Sequence, residues 1–193
     1  MGRHRKIDRE AVLDAAERVV SREGAAHLTL EAVAIESRIS KGSVLYDYKT
    51  KRGLIRAIIE RRVAAEEARV QAFVDEVGQP NAHIRGKLAA ASRSLSDQDR
   101  TVALTLCAAL AQDAGLREPI QRSYRDLIAR ITSHSSQPRG AMLAFLAIEG
   151  MLLMERFGLH SWTEGEREGL IAELGWLVEQ YPAAASSSLP QEA

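Results

Sequence analysis

The sequence predicts an all-α protein with a small N-terminal head and a larger helical body. Apolar residues recur at intervals of three and four along most of the chain, which is the spacing of an amphipathic helix. No segment alternates apolar and polar residues over the length of a strand, and the hairpin dipeptides Asn-Gly and Asp-Gly do not occur. The 193 residues, 46% of them hydrophobic, are enough to bury a sizeable core. Caps and breaks divide the chain into about nine helices, three in the head and six in the body.

Three short helices are predicted in the head. The first carries an apolar stripe from Val12 to Val20 and should end at Gly24, because glycine readily adopts the conformation that closes a helix. Thr29 is placed to cap a second helix that runs to residue 37. After a break at residues 38–39, Ser40 is placed to cap the third.

The body opens with the longest predicted helix of the chain. It begins near Thr50, reaches Val77, and is closed by the breaker sequence Gly78-Gln79-Pro80. The next apolar stripe spans residues 84–95. Residues 102–111 are apolar on almost every side, which predicts a helix enclosed by other helices.

Three further helices complete the predicted body. One has a single apolar face between Ile120 and Ile131. Pro138 is well placed to open the next, which extends to residue 157 and is again apolar on every side. The last covers residues 164–181, with its leucines on one face. The tail, residues 182–193, is small and polar and is expected to be loose.

Charge is distributed unevenly along a chain whose formal net charge is zero. Residues 1–62 contain 14 Lys and Arg against 9 Asp and Glu, a net charge of +5. Residues 63–193 contain 12 against 17, a net charge of −5. This division predicts a basic head that meets a polyanion and an acidic body that does not. On charge alone, chance variation in a mixed surface explains it too.

Several classes of protein and site are disfavoured. A single cysteine, Cys107, excludes an internal disulfide and a multi-cysteine zinc site, and His134 and His160 lack metal-ligand spacing, so no metal or cofactor is expected. There is no phosphate-binding loop, dinucleotide fingerprint or nucleophile elbow, which argues against an enzyme. No apolar run is long enough to span a membrane, and the basic N-terminus has no apolar segment behind it. A cytoplasmic location is therefore expected.

Residues 29–48 have the proportions of a helix-turn-helix, in which the second helix enters the major groove of DNA. A helix N-terminus presents free N–H groups to a phosphate, and Gly42 allows close approach because it has no side chain. Lys41, Ser43 and Tyr46 can donate hydrogen bonds to phosphate oxygens, and Ser43 could reach a base edge. The alternative is an ordinary capped helix with a solvated basic end.

Residues 9–60 resemble the N-terminal domain of TetR-family transcriptional regulators, and the match runs without gaps. It includes Arg9 with the segment Val12-Leu13-Asp14-Ala15-Ala16-Glu17-Arg18-Val19-Val20, then Thr29-Leu30-Glu31-Ala32-Val33-Ala34, then Ile39-Ser40-Lys41-Gly42-Ser43. The segment Val44-Leu45-Tyr46-Asp47-Tyr48-Lys49-Thr50-Lys51 is most similar to a branch that reads Leu-Leu-Tyr-His-Phe-Pro-Ser-Lys. The helix count and lengths of the body also fit this family.

Three residues depart from the family pattern. Arg38 replaces the glycine of the turn, so it must tolerate a less favourable backbone angle or use a slightly different turn; its guanidinium could add a phosphate contact. Asp47 replaces a histidine, so its anionic side chain should turn aside or pair with a nearby lysine. Lys49 replaces the proline that precedes the long helix.

The resemblance implies a homodimeric transcription factor, expected to be a repressor that an effector releases from its operator. The head would span residues 1–52, the effector-binding and dimerisation domain residues 53–181, and the tail residues 182–193. The operator is expected to be double-stranded and palindromic, and the effector to be a small, largely apolar or aromatic molecule. An activator of the same family and a helical protein-binding adaptor remain as alternatives.

Site residues follow from the resemblance and from the helix pattern together. Those expected at the DNA are Arg5, Lys6, Thr29, Arg38, Ser40, Lys41, Gly42, Ser43, Tyr46, Tyr48 and Lys51. Those expected at an effector pocket, unless they belong to the core, are Phe73, Leu104, Cys107, Tyr124, Phe145, Met151 and Trp162. Those expected at a four-helix dimer interface, unless helix 139–157 is the central core helix of a monomer, are Met142, Leu146, Leu153, Leu170, Leu174 and Leu177.

Overall fold

A computed structural model describes residues 8–24, 27–78 and 80–180 of the chain. This part of the chain is helical throughout, with no strand, as predicted. None of the described helices is long and apolar enough to cross a membrane. The helices are α1 Arg9–Glu23, α2 Leu30–Ser37, α3 Lys41–Tyr48, α4 Lys51–Val77, α5 Ala82–Ala90, α6 Asp97–Gln112, α7 Glu118–His134, α8 Pro138–Arg156 and α9 Glu164–Val178, and a 3-10 turn, Ala114–Leu116, joins α6 to α7.

Local side-chain chemistry sets where the helices begin and end. Thr29, Ser40 and Thr50 each accept a hydrogen bond from the backbone N–H three residues on. The caps predicted at Thr29 and Ser40 are therefore confirmed, and Thr50 caps the long helix at its predicted start. Gly24 ends α1 with φ 82° and Gly78 ends α4 with φ 70°, both in the region that favours glycine. These boundaries lie where the sequence predicts them because each depends on a few adjacent residues.

The head core lies between α1, α2, α3 and the first turns of α4. Val12, Val33 and Val44 come from the three head helices and are fully buried, and Leu54 and Ile58 of α4 pack among them. The head therefore includes two turns of α4, and the expected boundary at residue 52 falls inside the first turn of that helix.

The body core lies between α5, α7, α8 and α9. Ile84, Ile131, Phe145 and Ile148 are almost completely buried there. A buried ion pair between Arg167 of α9 and Glu155 of α8 closes one end, and Arg167 also donates a 2.6 Å hydrogen bond to the carbonyl of residue 91. These contacts join α9 to both α8 and the end of α5.

Two expectations about body helices are wrong. The fifth helix ends at Ala90 and does not reach Leu95, because the chain turns after Ala91 and Ser96 caps the next helix. Helix α6 is not enclosed, since Val102 is its one buried residue and Leu104 is 39% exposed. Four of the nine apolar residues of α6 are alanines, which a helix can expose at little cost.

Candidate nucleic-acid interface and effector cleft

The turn between α2 and α3 is built around Arg38. Its backbone is left-handed, with φ 56° and ψ 37°, as expected for a residue that replaces a turn glycine. The N–H of Ile39 donates to the carbonyl of Ala34 at 3.0 Å, which closes the end of α2. A non-glycine residue in this conformation costs about 1 kcal/mol. The interhelical turn therefore keeps its geometry despite the substitution.

The N-terminus of α3 presents a small, polar surface to solvent. Ser40 accepts the N–H of Ser43 at 3.1 Å, and the two hydroxyls lie 2.7 Å apart. Gly42 is exposed, and a Cβ placed on it would meet no atom within 4 Å. Tyr46 is 81% exposed one turn further along. The fold itself does not require glycine at position 42, which leaves room for close approach by a partner.

Lys41 is held by a carboxylate of the neighbouring helix. Its Nζ lies 2.8 Å from Oε2 of Glu31 on α2, and both side chains are more than half exposed. Lys41 holds the pKa of Glu31 below its ordinary value through this hydrogen bond. Exposed pairs of this kind are weak, so Lys41 can exchange Glu31 for a phosphate.

Asp47 and Tyr48 face α1. Asp47 pairs with Arg9 of α1 at 3.5 Å. The Tyr48 hydroxyl donates to the carbonyl of Arg9 at 3.4 Å, and burial raises the pKa of this tyrosine. The anionic Asp47 is therefore turned aside from the N-terminus of α3.

The joint between α3 and α4 is tight. Lys49 has φ 59°, which proline cannot adopt, and the N–H of Thr50 donates across it to the carbonyl of Tyr48 at 2.6 Å. This is a γ-turn of the rarer positive-φ kind. A Cβ on Gly53 would collide with the same Tyr48 carbonyl oxygen. The angle between α3 and α4 therefore depends on Gly53.

The residues expected to contact DNA differ in how exposed they are. Thr29 and Ser40 are exposed caps, Arg38 lies at the exposed turn, and Lys51 begins α4. Ser43 is half-buried and Tyr48 is half-buried against α1. Arg5 and Lys6 lie outside the described residues.

Ion pairs join α4 to the body at its head end. Arg52 pairs with Asp113 at the end of α6, where a second hydrogen bond measures 3.2 Å. One turn on, Arg56 lies 3.0 Å from Glu118 at the start of α7. The first two turns of α4 thus contact the head through apolar side chains and the body through guanidinium groups.

Between α4, α5 and α7 the body contains an open cleft of about 410 Å³. Val70 and Leu127 supply apolar surface from opposite helices, and His83 of α5 lies between them. Burial lowers the pKa of His83, and His134 and Arg130 lower it further. The residues that line the cleft are Ala64, Glu66, Glu67, Ala68, Val70, Gln71, His83, Ser123, Asp126, Leu127 and Arg130.

A buried polar cluster adjoins this cleft. Lys87 of α5 is only 6% exposed, and its Nζ lies 2.9 Å from both Glu66 of α4 and Glu149 of α8. The Tyr124 hydroxyl donates to Glu149, and burial and then that carboxylate raise the pKa of the tyrosine. Although burial alone would raise it, Lys87 and Arg69 hold the pKa of Glu66 below its ordinary value. The cluster connects four helices of the body.

Sequence reasoning did not single out Lys87 or Glu66. A signal was available, because Lys87 lies on the apolar stripe of α5, three residues after Ile84 and four before Ala91. A charged residue on such a face requires a buried partner. The identity of that partner depends on helix packing and is not visible in the local sequence.

The seven residues expected to line a pocket lie outside the wall of this cleft. Phe73 packs on Gly86 of α5, and Leu104 and Cys107 lie on the half-exposed α6. Tyr124 contacts Phe145 edge to face, with ring centroids 6.1 Å apart. Met151 is buried in the body core and Trp162 packs beside it, so these positions stay a prediction.

Helix α8 leaves one apolar face uncovered. Leu146 is 59% and Leu153 50% exposed, whereas Met142 is half-buried. Leu170, Leu174 and Leu177 of α9 pack partly against the body core, and Trp176 beside them is 64% exposed. No cluster of side chains suited to a metal ion occurs among the described residues.

Comparisons with known proteins agree with this architecture. A sequence profile described as "Bacterial regulatory proteins, tetR family" matches residues 12–58, and one described as "Tetracyclin repressor-like, C-terminal domain" matches residues 81–179. A search among curated proteins gives no match. The two profiles together cover the head and most of the body.

Solved structures share the fold at low sequence identity. SCO1917, a TetR-family member from Streptomyces coelicolor A3, superposes with a TM-score of 0.67 and 22% identity over 86% of this chain and 96% of its own. The multidrug binding protein EbrR complexed with malachite green superposes with a TM-score of 0.68 and 21% identity over 89% of this chain and 98% of its own. EbrR complexed with ethidium gives a TM-score of 0.65 and 21% identity over 86% and 97%. On the strength of the two profiles, the chain belongs to the TetR family of bacterial transcriptional regulators, which are DNA-binding proteins and not enzymes.

Proposed function

We propose that this chain is a homodimeric, ligand-responsive repressor of transcription that acts in the cytoplasm. Residues 1–52 bind the operator, and residues 53–181 bind the effector and the second subunit. The observation that carries the proposal is the N-terminus of α3, where the cap Ser40, the bare Gly42 and the exposed Tyr46 share one solvent-facing surface. An activator would use the same surface, and a reporter gene behind the operator separates the two.

In this proposal α3 enters the major groove with its N-terminus toward the phosphates. Lys41 exchanges Glu31 for a phosphate, and Ser43 and Tyr46 lie within reach of the groove. Arg38 at the exposed turn and Lys51 at the start of α4 extend the positive surface. The inward pairing of Asp47 with Arg9 supports this orientation, because it removes an anion from the path of the DNA.

The proposed dimer interface is the uncovered apolar face of α8 together with the exposed face of α9. A contiguous stripe of this kind marks an interaction site in a soluble protein. Two copies of α8 and α9 form a four-helix bundle, and the two-fold axis of the dimer predicts a palindromic operator. The exposed large apolar side chains on α8 and after its end are Leu143, Leu146, Leu153, Met154, Phe157 and Leu159.

The effector is proposed to be a small, largely apolar or aromatic molecule that binds in the body. EbrR, which shares the fold, is a multidrug binding protein seen with malachite green and with ethidium. Helix α4 runs from the head core to the body cleft, so a displacement at the cleft can move the recognition helix. The effector acts only if it binds one geometry of the dimer better than the other.

Selection of bound duplexes from a random DNA library tests the proposal. A palindromic consensus with half-sites about one helical turn apart is expected, since each subunit presents one α3. Binding must also weaken steeply with salt, because phosphate contacts release counterions. A helical adaptor that binds only protein would yield no enriched sequence and no salt-dependent retention on DNA, and either result would overturn the DNA-binding role.

A further inference from the structure

The cleft between α4, α5 and α7 has an acidic wall. Glu67 of α4 and Asp126 of α7 both line it, and neither forms an ion pair with another described residue. Glu66 also lines it and shares its charge with the buried Lys87 and with Arg69. Arg130 is the one cationic residue among those that line the cleft, against three carboxylates, so the wall carries an excess of negative charge.

Apolar surface alternates with these carboxylates. Val70 and Leu127 face the cleft from opposite helices, and Ala64 and Ala68 lie on α4 beside the glutamates. Such a surface suits a ligand with an apolar body, while a wall with more carboxylates than cationic groups disfavours an anion. A volume of about 410 Å³ falls in the range of small-molecule sites.

His83 provides an independent observation at the same wall. The residue is only 8% exposed, and its Nδ1 has no hydrogen-bond partner in the described structure. Buried polar groups are normally satisfied, and exceptions concentrate at functional sites. The ring lies against that of His134, with centroids 5.4 Å apart and the planes tilted by 31°, a contact that does not use that nitrogen.

We propose that this cleft binds an organic cation with an apolar body, whose charge lies against Glu67 and Asp126. The inference rests on the proposed function, because it names the chemical class of the effector that the body receives. Bound in the cleft, the cation also lies beside Glu66 and competes with Lys87 for that carboxylate.

Competition at Glu66 links the cleft to the rest of the molecule. Lys87 holds Glu66 of α4 and Glu149 of α8 at the same distance, 2.9 Å, so it joins the helix that enters the head to the helix with the uncovered apolar face. When the cation pairs with Glu66, Lys87 shifts toward Glu149, and the ion pair between α4 and α5 weakens. Coupling between effector and operator then passes through one buried amino group.

Isothermal titration of the DNA-free protein with tetraphenylphosphonium and tetraphenylborate tests the proposal. The two ions have the same shape and opposite charge, so a difference between them reports charge alone. Ethidium serves as a second, planar cation. The cations should bind and the borate should bind at least about tenfold more weakly.

Variants then locate the site. Glu67→Gln and Asp126→Asn should each weaken cation binding by about tenfold, and neither endangers folding, because both side chains are exposed. Glu76→Gln is the matched control, since Glu76 is an exposed carboxylate of α4 that does not line the cleft. Failure of both cations to bind, equal binding of the borate, or equal losses in Glu76→Gln would each overturn the proposal.

Operator binding by the same preparations separates this inference from the proposed function. If the protein binds its selected duplex but neither cation, the proposed regulatory role stands and the proposed ligand class is wrong. A chain that binds cations but no duplex loses the regulatory role, and the cleft remains a cation site.

Discussion

Lys41 and Glu31 oppose each other at the surface proposed for DNA. Lys41→Ala removes one phosphate contact, so it should weaken binding to operator and non-specific duplex alike and lower the salt slope by about one. Glu31→Gln should strengthen binding to both duplexes, because it frees Lys41 and removes an anion 2.8 Å from the lysine amino group. Fluorescence anisotropy over a salt series measures both. Unchanged affinity of Lys41→Ala at moderate salt would place that residue outside the interface.

His83 should make stability depend on pH. Its pKa is lowered in the folded protein, so the unfolded chain binds the proton more readily. The stability is therefore complete above the unfolded pKa, about 6.5, and is lost as the pH falls toward the folded value. Arg130 and His134 oppose the proton from α7, while Glu66 and Glu67 face the same cleft from α4.

Urea unfolding at about pH 8 and about pH 5 measures this effect, with His83→Gln as the comparison. The wild type should lose more stability than the variant between the two conditions. Only in the wild type does the unfolded chain gain a proton at position 83 that the folded chain binds less readily. Parallel losses in the two proteins would assign the acid sensitivity to other groups.

Two glycines of the head have different roles, and the same substitution separates them. Gly53→Ala should destabilise the protein by about 1–3 kcal/mol, because the added Cβ meets the backbone of Tyr48, which cannot move aside. Gly42→Ala meets no atom within 4 Å and should stabilise α3 by up to about 1 kcal/mol, yet it should weaken operator binding. Thermal unfolding and duplex titration of both variants check this. Full operator affinity in Gly42→Ala would show that the backbone does not approach DNA there.

At the scale of an element, α4 is anchored at both ends. Leu54 and Ile58 are buried in the head, and Val70 is buried in the body, where Phe73 packs on α5. One continuous helix of 27 residues with such anchors transmits a displacement from one end to the other. The ion pairs of Arg52 and Arg56 add a polar connection to the body at the head end of this helix.

Phe73→Ala should reduce the coupling between effector and operator more than it reduces operator affinity, because it loosens the body end without touching the DNA face. A coupling of about 1–3 kcal/mol is typical, and it must be reciprocal. Operator affinity with and without saturating tetraphenylphosphonium measures it in wild type and variant. Glu76→Gln controls for a change elsewhere on the same helix, and equal coupling in all three proteins would exclude this route.

At the scale of the whole molecule, the uncovered face of α8 predicts the dimer. Leu146→Arg places a charge at a position that is 59% exposed in the single chain, so it should leave the subunit folded and shift the protein to monomer. Operator affinity should fall with it, because two half-sites are no longer held together. Sedimentation measures the state, and Ala129→Arg on the exposed side of α7 is the control. A wild-type monomer at micromolar concentration would remove the dimer from the proposal.

Short-range chemistry made much of this protein predictable. The caps Thr29, Ser40 and Thr50 and the closing glycines act on neighbours within one turn of helix, so they define the helix-turn-helix and the length of α4 without reference to other helices. The family resemblance rests on the same local segment. The sequence alone therefore determined the all-α class, the head and the position of its recognition helix.

Tertiary structure decided what depends on contacts between distant residues. Lys87 finds Glu66 and Glu149 across 21 and 62 positions of the chain, and no local pattern specifies which carboxylates a buried lysine meets. The same holds for the inward turn of Asp47 toward Arg9 and for the early end of α5. Periodicity reports that a residue faces an interior, whereas the partner it meets there is set by how whole helices pack, and so the cleft and its acidic wall became visible only in the folded chain.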